Sequence, residues 1–217
     1  MRNRFDEQLE VLHQKLIEMG NLCEQVISMT YKVMMEEDHQ AAKEIIKKDS
    51  QIDQMERDIE ALCLKLLLQQ QPVATDLRKI SAALKMITDM ERIGDQAADI
   101  AEIIMTGKLK APSIDLPLGK MAEATVYMVT ESVNAYVWQD LEAAKKVIEY
   151  DDVVDDLFKN VKKLLMLQMD SDPMIHEHIM DLLMIAKYYE RIGDHATNIS
   201  EWVEFSIIGK HREDENV

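Results

Sequence analysis

Eight carboxylates at one spacing offer the clearest chemistry in this chain. Glu91 and Asp95, within the pentapeptide ERIGD, stand four residues apart. Glu190 and Asp194 do the same in an identical ERIGD 99 positions later, and Asp49/Asp53 and Asp151/Asp155 share the spacing. On a helix that spacing puts both acids of a pair on one face, where they repel. Partly desolvated acids in one place must pair with arginine, take up protons or bind a metal. Arg92 and Arg191 lie in the motifs and Arg57 nearby, so an arginine network locking the helices is a purely structural answer. One acid-x-x-x-acid pair carries little information, since helices are full of them. Four pairs in register favour a metal over the network. An all-oxygen set without cysteine selects Mg, Mn, Fe(III) or Zn, and bridging carboxylates suit more than one ion per site. Gly94 and Gly193 each cost about 1 kcal/mol relative to alanine inside a helix. Clearance for a neighbouring helix or a metal-bound group would explain them. His195 points about 100° around the helix from Asp194, so it is expected to support the ligands from behind or to lie at the surface. Asp99 and Asn198, one turn beyond the motif, are candidate accessory ligands.

The duplication runs well past the pentapeptide. DHQAAKEIIKKDSQID (38–53) aligns with DLEAAKKVIEYDDVVD (140–155) at an offset of 102, and MERIGDQAADIAE (90–102) with YERIGDHATNISE (189–201) at 99. The chain is therefore a unit of about 100 residues written twice, divided here as 1–110 and 111–217.

Three helices are expected in each unit. Residues 4–36 form an amphipathic run, with Leu9, Leu12, Leu16, Met19, Cys23, Val26 and Thr30 at spacings of three and four. Asp38 is the expected N-cap of a second helix reaching about Gln70, along the stripe Ile45, Ile52, Met55, Ile59, Leu62 and Leu66. After a break at Pro72, a third helix spans about 75–106, ended by Gly107. Met86, Met90, Ile93, Ala97, Ile100 and Ile104 form its stripe, and the line Ile80, Leu84, Ile87 leads into Glu91. Residues 107–119 read as a linker. The second unit repeats the plan over 117–137, 140–169 and 173–208, with Asp172-Pro173 opening and Gly209 closing its last helix. HREDENV reads as a frayed tail. The fold expected is all-α, two tandem antiparallel three-helix bundles related by internal duplication. Asp49 near the start of one helix and Asp95 toward the end of the next then stand at similar heights.

Composition closes off other classes. There are 41 acidic against 25 basic residues, a net charge of −16. Such a chain is poorly suited to nucleic acid or an anionic lipid surface, and fits a cation or a basic partner. Cys23 and Cys63 lie in apolar helical patterns without CxxC spacing and read as reduced core residues. MRNRFDEQLE lacks the apolar stretch of a secretory signal, and ALCLKLLL is too short to span a bilayer, so a cytosolic protein is expected. There is no GxSxG, P-loop or Cys/His pair for nucleophilic catalysis. His176-Glu177-His178 places its histidines two apart, pointing away from each other. A carboxylate-bridged di-metal oxidase would need Glu-x-x-His on two helices. Glu10-x-x-His13 matches the string, but Glu36-x-x-His39 straddles the break at Asp38, and neither recurs in the second unit. The sixteen methionines read as core filler.

DLRKISAALKMITDMERIGDQAADIAE (76–102) and YYERIGDHATNISE (188–201) resemble the PhoU family of phosphate-transport regulators, over nearly the whole chain. The resemblance implies a duplicated three-helix bundle whose acidic motifs bind multinuclear clusters of iron or zinc. Those motifs fall on Asp49, Asp53, Glu91, Asp95, Asp151, Asp155, Glu190 and Asp194. Asp99 departs from the Asn common after the motif, which Asn198 retains. The resemblance also implies a cytoplasmic regulator, commonly a homodimer and not an enzyme. Its partners would be the ATPase subunit of the phosphate ABC transporter and the phosphate-sensing histidine kinase, and it would hold the starvation response off when phosphate is plentiful.

Overall fold

The computed structural model describes residues 2–70, 73–107, 115–169 and 176–210. All the regular structure among them is helical: α1 (Arg2–Glu36), α2 (His39–Gln70), α3 (Ala74–Thr106), α4 (Leu118–Trp138), α5 (Leu141–Met169) and α6 (His176–Ile208). The break at Pro72, the Asp172-Pro173 cap, most of the 107–119 linker and the tail after Lys210 lie outside the described residues.

The turns show why the helices stop where they do. Asp38 Oδ1 accepts the backbone N–H groups of Gln40 and Ala41, each at 3.0 Å, so the expected cap is present. Its duplicate Asp140 accepts from Ala143 at 3.0 Å. The residues before these caps, Glu37 and Gln139, turn left-handed at φ 53° and 52°. Asp38 N–H then reaches Val33 O and Asp140 N–H reaches Ala135 O, closing the last carbonyls of α1 and α4. Gly107 does close α3 by donating to Ile103 O, but in an extended conformation (φ −72°, ψ 153°), without the left-handed turn a terminal glycine usually supplies. Gly209 does make that turn, at φ 76°.

The apolar stripes face inward as patterned. Leu12, Leu16, Met19, Cys23 and Val26 of α1 are fully buried, as are Ile45, Ile52, Ile59 and Leu66 of α2 and Met86, Met90, Ile93, Ala97 and Ile100 of α3. Met55 and Leu62 sit half-buried at the edge of this core. Cys23 and Cys63 are free and buried, and burial pushes both thiols up to about 12, so they are inert packing groups.

Within each repeat the three helices pack on one another, α1–α2–α3 and α4–α5–α6. The repeats do not stand apart. α3 packs along α6 and α1 along α4, so the buried apolar residues form a single core. Buried polar contacts cross the join: Thr30 and Tyr189 hydroxyls meet at 2.7 Å, and Tyr136 donates to Lys79 O at 2.8 Å. α2 and α5 lie on the outer flanks, each packed on two helices of its own repeat.

Candidate metal centres on the outer flanks

In each repeat the acids of the second helix face those of the third. In the first repeat Asp49 and Asp53 of α2 meet Glu91, Asp95 and Asp99 of α3. The Asp49 acid is pushed up to about 6, chiefly by desolvation and then by the charges of Asp53, Asp95, Glu91 and Asp99. Its Oδ1 is buried without a hydrogen-bond partner. Gly94 makes this approach possible: a Cβ there would stand 2.7 Å from Asp49 Oδ1 and 3.0 Å from Ile52 Cδ1. The α3 glycine is therefore clearance for an α2 carboxylate.

Arginine answers only part of the charge. Arg92 reaches Glu91 at 3.6 Å and Asp95 at 3.3 Å from the exposed side. Glu91 is nevertheless raised, by desolvation first and Asp95 next, with Arg92 pulling the other way. Arg57 donates to Gln54 on its own helix and makes no ion pair with the acids among the described residues. The alternative arginine network thus leaves Asp49 uncompensated, a costly state for a partly buried carboxylate.

The second site repeats the plan with different neighbours. Asp151 of α5 is pushed up to about 6, by desolvation and then by Asp194 and Asp155. The Thr197 hydroxyl beside it pulls the other way, although it stops short of a hydrogen bond of normal geometry. Asp194 is raised by desolvation and Glu190, and lowered by Lys187. Lys187 forms a close ion pair with Glu190, and Lys159 reaches Asp155 at 3.9 Å. Clearance is looser here: a Cβ on Gly193 would stand 3.3 Å from both Asp151 Oδ1 and Val154 Cγ1.

The accessory candidates part ways. Asn198 donates to Asp89 Oδ1 at 3.1 Å across the α3–α6 join, and His195 Nδ1 lies 2.9 Å from the same oxygen. Both are engaged between the repeats. Asp99 adds its charge to the first site and also interacts with Tyr188 of α6. Glu10 and His13 are 4.0 Å apart, but His13 Nε2 is buried without a partner and its ring packs edge-on against Tyr136. Glu36 and His39 fall on either side of the α1–α2 turn.

The donor set suits a hard or borderline cation: carboxylates only, like charges facing each other, one buried oxygen without a partner. The side chains do not yet close around a point, because among the described residues no group of three or more His, Cys, Asp or Glu is arranged to hold a metal ion. Lys187, Thr197 and Asp89 escaped the sequence reading. Lys187 was legible as an i,i+3 partner of Glu190. Asp89 and Thr197 carry no such signal, because their partners lie on other helices.

Comparison with known proteins agrees with the duplicated helical fold. A family model described as the PhoU domain matches residues 16–104 and again 118–203. The phosphate-specific transport system accessory protein PhoU homolog of Clostridium acetobutylicum is 38% identical over 212 residues, covering 96% of both chains. The homolog of Synechocystis is 34% identical, covering 96% of this chain and 93% of its own. Among solved structures, PhoU from Pseudomonas aeruginosa superposes with a TM-score of 0.88 at 31% identity, over 95% of this chain and 100% of that one. The phosphate transport system regulatory protein PhoU from Streptococcus pneumoniae gives 0.87 at 25% identity, over 95% and 98%. With both repeats matched and relatives aligned end to end, the chain belongs to the PhoU family.

Proposed function

We propose that this protein is a cytoplasmic, metal-binding regulator of phosphate uptake, working as an adaptor and not as an enzyme. It would link the ATPase subunit of the phosphate ABC transporter to the phosphate-sensing histidine kinase, as a homodimer, and hold the starvation response off. The names of the relatives support the phosphate-transport role. Among the described residues no helix is long and apolar enough to cross a membrane, which agrees with a peripheral partner of the transporter.

Metal binding rests on one observation above all: Asp49 Oδ1, buried and without a partner amid four other acids. Asp49, Asp53, Glu91 and Asp95 would hold metal in repeat 1–110, and Asp151, Asp155, Glu190 and Asp194 in repeat 111–217. Bound Fe or Zn (or Mn or Mg), in a multinuclear cluster, would supply the counter-charge these carboxylates lack. The chain's own part is to hold the acids on rigid helices, with Gly94 and Gly193 letting the helices approach. The lack of a closed ligand set favours a second reading, a metal-free helical adaptor.

Elemental analysis of protein purified without chelator or nickel resin separates the two. The metal reading expects bound Fe or Zn and a higher melting temperature on adding Mn, Fe or Zn; neither result would leave the metal-free adaptor standing. Co-purification of the transporter ATPase from phosphate-rich cells tests the adaptor role, and failure to recover it would count against that role.

A further inference from the structure

The buried positions of α2 and α5 match at an offset of 102: Ala42/Ala144, Ile45/Val147, Ile52/Val154, Ile59/Val161 and Cys63/Leu165. The outward faces can therefore be compared position by position. On α2 that face carries Arg57, Asp58, Glu60, Ala61, Leu64 and Lys65, whose charges cancel. On α5 the same positions are Lys159, Asn160, Lys162, Lys163, Met166 and Leu167. All the acids are gone and three lysines remain, in a chain of net charge −16. Met166 and Leu167 are 60% and 67% exposed. With the three lysines they line a concavity of about 370 Å³. Lys159 is paired with Asp155 and Asp156. Lys162 and Lys163 have no ion-pair partner among the described residues.

We infer that this face of α5 is a docking site for an acidic amphipathic helix of a partner protein. Charge complementarity selects the occupant: acids on the partner meet Lys162 and Lys163, and its apolar face lies on Met166 and Leu167. Methionine adapts to varied apolar partners, which suits an apolar helix face laid against it. Other occupants fit less well. Recognition of anionic lipid draws on clusters of about 4–8 basic residues, and the rest of this molecule is acidic. Nucleic acid would need aromatic or arginine platforms, which the face lacks. A second copy fits this face less well, because its matching α2 face offers no excess of acid to meet the lysines. The inference rests on the adaptor reading for its biological sense, but not on metal.

The test is fluorescence anisotropy of a labelled synthetic peptide with Leu at i, i+3, i+4 and i+7 and Glu elsewhere, added to the full chain. Saturable binding is expected, weakened about tenfold or more by K162E/K163E and also by M166S/L167S, which keeps the charge and removes the apolar surface. R57E/K65E on α2 should bind like wild type. All substituted positions are exposed, and circular dichroism checks that each variant stays folded. No peptide binding, or binding that K162E/K163E leaves unchanged, overturns the inference. So does binding to phosphatidylglycerol vesicles in place of the peptide, or self-association abolished by K162E/K163E. Co-purification of the transporter ATPase with the wild type reads the adaptor role separately: if the ATPase is recovered but the peptide fails to bind, the role stands and this surface is wrong.

Discussion

The two repeats place the same acids on the same helices, yet surround them differently. Asp49 is pressed against the α3 backbone at Gly94, with Asp99 as a fifth acid and Arg92 touching only the outer pair. Asp151 has more room at Gly193, a threonine hydroxyl beside it, and lysines on both Glu190 and Asp155. The duplication keeps the acids and differs in the counter-charges around them. The first site therefore has the greater unmet demand for a cation, and the second meets part of that demand internally.

The largest expected effect comes from the proposed ligands. Isothermal titration with Mn or Zn should resolve two classes of site, the tighter lost in E91A and the weaker in E190A, each by about tenfold or more. Both variants should keep normal helicity; unfolding of the E91A/E190A double variant would make the acids chiefly structural. Loss of the same class in both single variants would break the distinction between the repeats.

A smaller change should narrow the difference. K187M removes the cation from Glu190 and should tighten metal at the second site about two- to fivefold, the range of an ion pair of about 0.5–1 kcal/mol. T88K places a lysine at the matching position of the first repeat and should weaken that site by a similar factor. Equal binding by wild type and K187M would show that the lysine moves aside at no cost.

The glycines test clearance. G193A should stay near the wild-type thermal midpoint, because alanine favours the helix by about 1 kcal/mol while Asp151 Oδ1 and Val154 Cγ1, 3.3 Å from the new Cβ, must give slightly. G94A gains the same propensity but must displace the Asp49 carboxylate and Ile52. It should melt below G193A and lose metal at the first site. Identical melting of the two would deny the tight approach.

The smallest effect is on pH. Asp49 and Asp151 sit at about 6 against an ordinary 3.8, so they hold protons more tightly folded than unfolded. The resulting stabilisation is full below the unfolded value and is lost as pH rises through about 6. Metal-free D49N/D151N should therefore melt above wild type near neutral pH, and the gap should close as pH falls through 6. A gap that widened on acidification would reverse the assignment.

Much of this was legible in the sequence, because the features concerned are local. One helix end followed from Asp38, and inward faces from spacings of three and four. The pairing of α2 with α3 followed from short turns. The repeat showed which acids come as a set. What the sequence did not show lies between elements far apart in the chain. Nothing near Asp89 announces His195 and Asn198, about 100 residues away, and nothing in either half announces that α1 and α3 are covered by α4 and α6. Arg57 was misjudged for the opposite reason: proximity in sequence to Asp53 suggested a partner, but its guanidinium bonds Gln54 on the exposed side.

The α3–α6 join has a consequence for ancestry. Asp89 meets Asn198, and Asp99 meets Tyr188. Under the 99-residue correspondence Asp89 answers to Tyr188 and Asp99 to Asn198, so each contact is the other with the halves exchanged. That is the signature of a two-fold interface between identical subunits, held here within one polypeptide. A single repeat expressed alone would bare the faces of α1 and α3 and pair with its own kind. Within one polypeptide that pairing is independent of concentration, and the two halves are free to differ, as Thr88 and Lys187 do.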